Sequence, residues 1–80
     1  MSIMKRTSDI VKEYSDDDLM QCCKEIVEAH KTGVIPPDTV FRRIEQGVRG
    51  VGISDAASLM VTEQLVLFEA ASRWVEEHES

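Results

Sequence analysis

From Ser54 to His78 the chain runs without a glycine or a proline. At about 100° per residue, its apolar side chains cover far more of a helix than one buried face requires. Asp55, Ser58, Thr62, Glu69, Arg73 and Glu76 collapse onto one narrow polar stripe. Nearly everything else is apolar, over an arc of roughly 220°, where a surface helix needs about 100°. Ala57, Val61, Leu65, Phe68, Ala71 and Val75 form the central row of that arc. Ala56, Met60, Leu67 and Trp74 flank it on one side, and Leu59, Val66 and Ala70 form a third row farther round. Glu63 and Gln64 interrupt it, and each needs a partner or a rim position. Such a helix is a hub. The expectation is a bundle folded around Ala57, Val61, Phe68, Ala71 and Val75, with Leu59, Val66 and Ala70 left over as a contact row.

Three shorter helical segments precede it, and no strand is read. The first, from Ile3 to Glu13, repeats Ile3, Thr7, Ile10, Val11 and Tyr14 at helical spacing and needs docking to resist fraying. The second opens at Ser15, an N-cap with Asp18 three residues on, and its first-turn carboxylates suit the positive end of the helix dipole. Leu19, Cys22, Cys23, Ile26 and His30 share one face, with Met20 and Val27 beside it, and Gly33 supplies the C-cap. Val34-Ile35-Pro36-Pro37 is extended, because the residue before a proline avoids the helical region. A third helix then opens at Pro37 or Asp38, with Val40, Phe41, Ile44 and Val48 inward. Gly47 weakens it, Gly50 and Gly52 end it, and Ser54 caps the fourth. The fold class expected is all-α: three to four helices with a long C-terminal hub, in one domain spanning residues 1–80.

An 80-residue chain buries only ~60–65% of the surface its unfolded form exposes, so the core is thin. With 42% hydrophobic residues the chain is too apolar for a disordered one, yet no stretch approaches a membrane span. The start, Met1 to Arg6, has a basic pair and no apolar run after it, so no secretory leader is read. Cys22 and Cys23 are the only cysteines, and neighbours do not close an ordinary disulfide loop. A cytoplasmic protein is expected.

Catalysis is not expected. His30 is read as packing in the apolar row and donating to a last-turn carbonyl, and His78 as part of an acidic tail. No glycine loop leads into a helix from a strand. Asp16, Asp17 and Asp18 are adjacent rather than alternating, and lack the glycine and distal glutamate of a calcium loop. No metal or cofactor is expected. The glycine turn at Gly52 has the outline of a helix-turn-helix, but between Gly50 and Ser72 there is no lysine or arginine to meet phosphates or base edges. Direct nucleic-acid binding is therefore not expected.

The net charge of −6 is segregated: +1 over residues 1–14, −3 over 15–33, +1 over 34–53 and −5 over 54–80. That field favours basic partners. The leading expectation is a non-enzymatic protein–protein interaction module, a small regulator or inhibitor that covers a partner through Leu59, Val66 and Ala70. A second copy of the chain is the simplest partner. One alternative is an acidic decoy, in which Asp16, Asp17, Asp18, Glu25 and Glu28 block the basic groove of a nucleic-acid-handling protein. The other is a nucleic-acid-associated regulator using Arg42, Arg43 and Arg49.

Overall fold

A computed structural model describes the backbone of residues 3–79 and the side chains of residues 7–79. The readings of Ile3 as an apolar position and of Met1 to Arg6 as a non-leader therefore concern side chains outside the described residues. Among the described residues there are four helices and no strand: α1 (Ile3–Lys12), α2 (Asp16–Thr32), α3 (Val40–Gly50) and α4 (Asp55–Glu79). α4 touches each of the other three, and α3 likewise packs on α1, α2 and α4. The chain is small, helical and slab-like, with Cα extents of 38 × 36 × 16 Å.

α2 has the ends its local chemistry dictates. Ser15 is extended (φ −68°, ψ 164°) and its hydroxyl accepts the Asp18 N–H at 3.1 Å. Gly33 takes the left-handed conformation at φ 79° and donates its N–H to the Ala29 carbonyl at 2.7 Å. A side chain there would be strained, whereas glycine is not.

The start of α3 lies later than Pro37 or Asp38. Thr39 is the cap: it is extended, and its hydroxyl accepts from Arg42 N at 3.1 Å. The next two amides are met from another helix, since Glu25 of α2 accepts from Val40 N at 3.2 Å and from Phe41 N at 2.9 Å. A negative carboxylate on the orphan donors of a helix start satisfies both hydrogen bonding and the dipole. Glu25 is thus a cap in trans rather than a free acidic contact. Gly47 admits α1, because a Cβ there would come within 3.3 Å of Ile10 Cγ2.

The core is built from Val11, Leu19, Cys22, Ile26, Val40, Phe41, Ile44, Val48, Leu65 and Val66. α4 enters it on a different face from the one expected. Its buried residues are Ser58, Thr62, Leu65 and Val66, with Glu69 and Arg73 half-buried beside them. Phe68, Ala71 and Val75 are exposed, and Ala57 and Val61 only half-buried. The middle of the polar stripe, from Ser58 to Arg73, therefore points inward, while Asp55 and Glu76 at its ends are exposed.

The physical reason is that the stripe finds partners inside the chain. Ser58 Oγ donates to Glu45 Oε2 at 2.8 Å, and Arg42 Nη1 donates to the other oxygen of Glu45 at 3.0 Å. Arg73 Nε donates to Glu69 at 2.9 Å and Nη1 to Asp16 at 2.8 Å. Its Nη2 reaches the carbonyls of Tyr14 at 2.8 Å and Lys12 at 3.3 Å. Arg73 thereby satisfies carbonyls at the end of α1 and locks the α1–α2 corner onto α4. Hydrogen bonding to Glu69, with Asp16 beside it, raises the guanidinium pKa further despite partial burial. Buried polar groups with partners cost little, and Ser58, Glu69 and Arg73, though not the buried and unpartnered hydroxyl of Thr62, turn the narrow side of α4 into its packing face.

Candidate functional site

With its polar stripe inside, α4 turns the apolar arc to solvent. Phe68 is 70% exposed, Trp74 61%, Met60 59%, Leu67 46% and Val75 43%. Ala71 and Gln64 lie among them, also exposed. Met60, Gln64, Leu67, Ala71, Trp74 and His78 follow one another at spacings of 4, 3, 4, 3 and 4. That row runs along one side of the helix. From Met60 to Val75 the strip contains no charged side chain.

α2 widens the strip. It runs antiparallel to α4: Asp16 meets Arg73 at one end, and His30 Nε2 is hydrogen-bonded to Glu63 Oε1 at the other. Between those contacts Met20, Cys23 and Val27 occupy the same row of α2, and Met20 and Val27 are exposed. A groove of about 550 Å³ follows the α2–α4 seam past Met20, Cys23, Ala70 and Trp74, and charged side chains, Asp16, Arg73, Glu76 and Glu77, also line it. At the far end of α4 the rings of Trp74 and His78 stack at 4.1 Å, and His78 Nδ1 donates to the Trp74 carbonyl at 2.8 Å.

No family model, no curated protein and no solved structure matches the chain. The site is therefore described by its chemistry. The strip is an apolar surface with one amide, Gln64, and one indole N–H, Trp74, as its polar handles, and His78 stacks on Trp74 at its end. Among the described residues no group of His, Cys, Asp and Glu gathers to hold a metal, and no helix is long and apolar enough to cross a membrane. Cys22 is buried, and burial, reinforced by the charges of Glu25 and Cys23, pushes its thiol up to about 12. Burial also raises the Cys23 thiol, so neither is poised as a thiolate.

The residues singled out from sequence are dispersed. Of the row Leu59, Val66 and Ala70, Val66 is fully buried, Ala70 is half-buried against the core, and only Leu59 is exposed. Val66 is therefore a core residue and offers nothing to a partner. Among the carboxylates, Asp16 holds Arg73, Asp18 is half-buried in the first turn of α2 and Glu25 caps α3. Asp17 and Glu28 remain exposed on the outer side of α2. Among the arginines, Arg42 pairs with Glu45, Arg49 lies 3.6 Å from Asp55, and Arg43 is exposed.

His30 is not a packed histidine, for it is exposed and reaches across to α4. The signal for the exposed strip lies in Met60, Leu67 and Trp74, which recur at heptad spacing. The signal that they face outward lies in other helices.

Proposed function

We propose that this protein is a non-enzymatic interaction module that covers a partner with the outward face of α4. The observation that carries the reading is the uncharged apolar strip from Met60 to Val75, left open along a helix whose other side is already packed. Scattered apolar side chains on a surface need no explanation. A contiguous strip containing Met60, Leu67, Phe68, Trp74 and Val75, and widened by Met20 and Val27, is the kind of patch that marks an interface. Trp74 and Phe68 are also the residue types that dominate interface energetics when a partner buries them.

The test is photo-crosslinking in the cells that produce the protein. A photoreactive phenylalanine analogue at Leu67 is expected to give a covalent adduct with a polypeptide, while the same analogue at Arg43, an exposed position of α3, gives none. Absence of any adduct at Leu67, or equal adducts at both positions, defeats the proposal.

A further inference from the structure

The α2–α4 groove joins an apolar floor to a charged rim, and we infer that it docks a basic amphipathic helix of another protein. This inference rests on the interaction reading above and names the chemistry of the partner.

Antiparallel packing makes the groove. Asp16 Oδ1 accepts from Arg73 Nη1 at 2.8 Å, so the first turn of α2 lies beside the last turns of α4. Leu19, Cys23 and Ala70, buried or half-buried, form the floor between them. Met20 and Trp74 are its walls, 59% and 61% exposed. From Ala70 to Glu77 the groove follows two turns of α4, about 10 Å at 1.5 Å per residue.

The shape suits a helix. A seam between two packed helices receives a third, whose ridge of side chains enters it. An extended segment is held instead by main-chain hydrogen bonds along a sheet edge, and there is no strand among the described residues. The unbranched thioether of Met20 adapts to whatever apolar side chain enters, and the indole of Trp74 offers a large apolar area.

Charge selects among helices. Asp16, Glu76 and Glu77 line the groove, with Arg73 as the one cation of its lining. All three guanidinium nitrogens of Arg73 are engaged within the chain, by Glu69, Asp16 and the carbonyls of Lys12 and Tyr14. Its charge is therefore matched before any partner arrives. Glu76 and Glu77 lie in the last turn of α4, where the helix dipole is negative as well, so the helix end does not offset them. Lys24, one turn along α2 from Met20, is not part of the lining. A helix with lysine or arginine on the flanks of an apolar face relieves that repulsion while the face covers Met20 and Trp74. The same rim repels a nucleic-acid backbone, an anionic membrane and its own counterpart on a second copy of the chain.

Trp74 is the only tryptophan, so its emission reports occupancy of this groove. The experiment titrates the full chain with a synthetic leucine–lysine peptide patterned as an amphipathic helix. A saturable blue shift of Trp74 is expected, weakened severalfold as added salt screens the rim. Glu76→Lys, at an exposed position, should weaken binding by about tenfold, by removing an attraction and adding a repulsion. A lysine near a helix C-terminus suits the dipole, so the variant keeps its fold by circular dichroism. Glu28→Lys makes the same change of net charge on the outer side of α2 and should stay within about twofold of wild type. Equal loss in the two variants reduces the effect to overall charge and overturns the docking site. Binding of a leucine–glutamate peptide as tight as that of the lysine peptide overturns it too. So does an equal shift with spermine, a cation that has no apolar face. If the lysine peptide leaves Trp74 unchanged at every concentration, this inference is lost. In that event an adduct of the Leu67 photoprobe with another polypeptide leaves the interaction reading standing with a partner of different chemistry, and the lack of one removes both.

Discussion

Glu25→Ala is the most informative single perturbation of the fold, because it removes a cap that no sequence-local rule places there. The carboxylate of Glu25 accepts from the amides of Val40 and Phe41, and both residues are buried, at 5% and 3% exposure. Water therefore cannot replace the lost acceptor easily. A hydrogen bond to a charged group contributes about 1.5–3 kcal/mol. A carboxylate near a helix start adds about 0.3–1 kcal/mol. The two bonds share one half-buried acceptor, so the combined loss is placed at about 2–3 kcal/mol rather than at their sum. For a chain whose whole stability is about 4–12 kcal/mol, that is a large fraction. The melting temperature should fall by roughly 10–20 °C.

The assay is thermal and urea unfolding followed by circular dichroism. Glu28→Ala, an exposed carboxylate on the same helix, is the control and should stay within about 0.5 kcal/mol of wild type. Glu25→Gln keeps a neutral acceptor and should lie between the two. If Glu25→Ala is no more damaging than Glu28→Ala, then the cap in trans contributes nothing and α3 is held by packing alone.

Two further predictions test the polar face of α4. Burial alone would raise the Glu45 carboxyl pKa, but hydrogen bonds from Ser58 and Arg42 and the charges of Arg49 and Arg42 outweigh it and lower the value below its usual 4.5. A carboxyl depressed in the folded state contributes stability at pH above about 4.5 and loses it as pH falls through the folded value. Wild type should thus destabilise steeply on acidification in that window. Glu45→Gln should be less stable at neutral pH yet show a flatter acid limb in urea midpoints, and equal slopes would contradict the assignment. Thr62 Oγ1 is buried with no hydrogen-bond partner among the described residues. Thr62→Val, similar in shape, should therefore raise stability by about 1 kcal/mol, and a loss would mean that the hydroxyl is satisfied.

Which parts of this architecture can be read from the chain alone follows from how far each cause lies along it. α2 is legible because Ser15 and Gly33 act within a turn of themselves. The start of α3 is misjudged by its prolines: Thr39, two residues past Pro37, is the local cap, and the carboxylate that meets the next two amides, Glu25, sits on another helix fifteen positions earlier. α4 is the instructive case. The excess of apolar circumference is a property of α4 itself, so its width is readable from spacing. Its direction is not. A polar stripe faces water only when its groups lack partners in the rest of the fold. Here Ser58 is met by Glu45 of α3, and Arg73 by Asp16 of α2 and the carbonyls that close α1. Each of those contacts joins α4 to a separate helix, and together they reverse its inward face. Val66, chosen from sequence as a contact residue, is carried into the core by that reversal, and Phe68 and Val75, chosen as core, are carried out. The surface open to a partner is thus set by where three other helices place four polar groups.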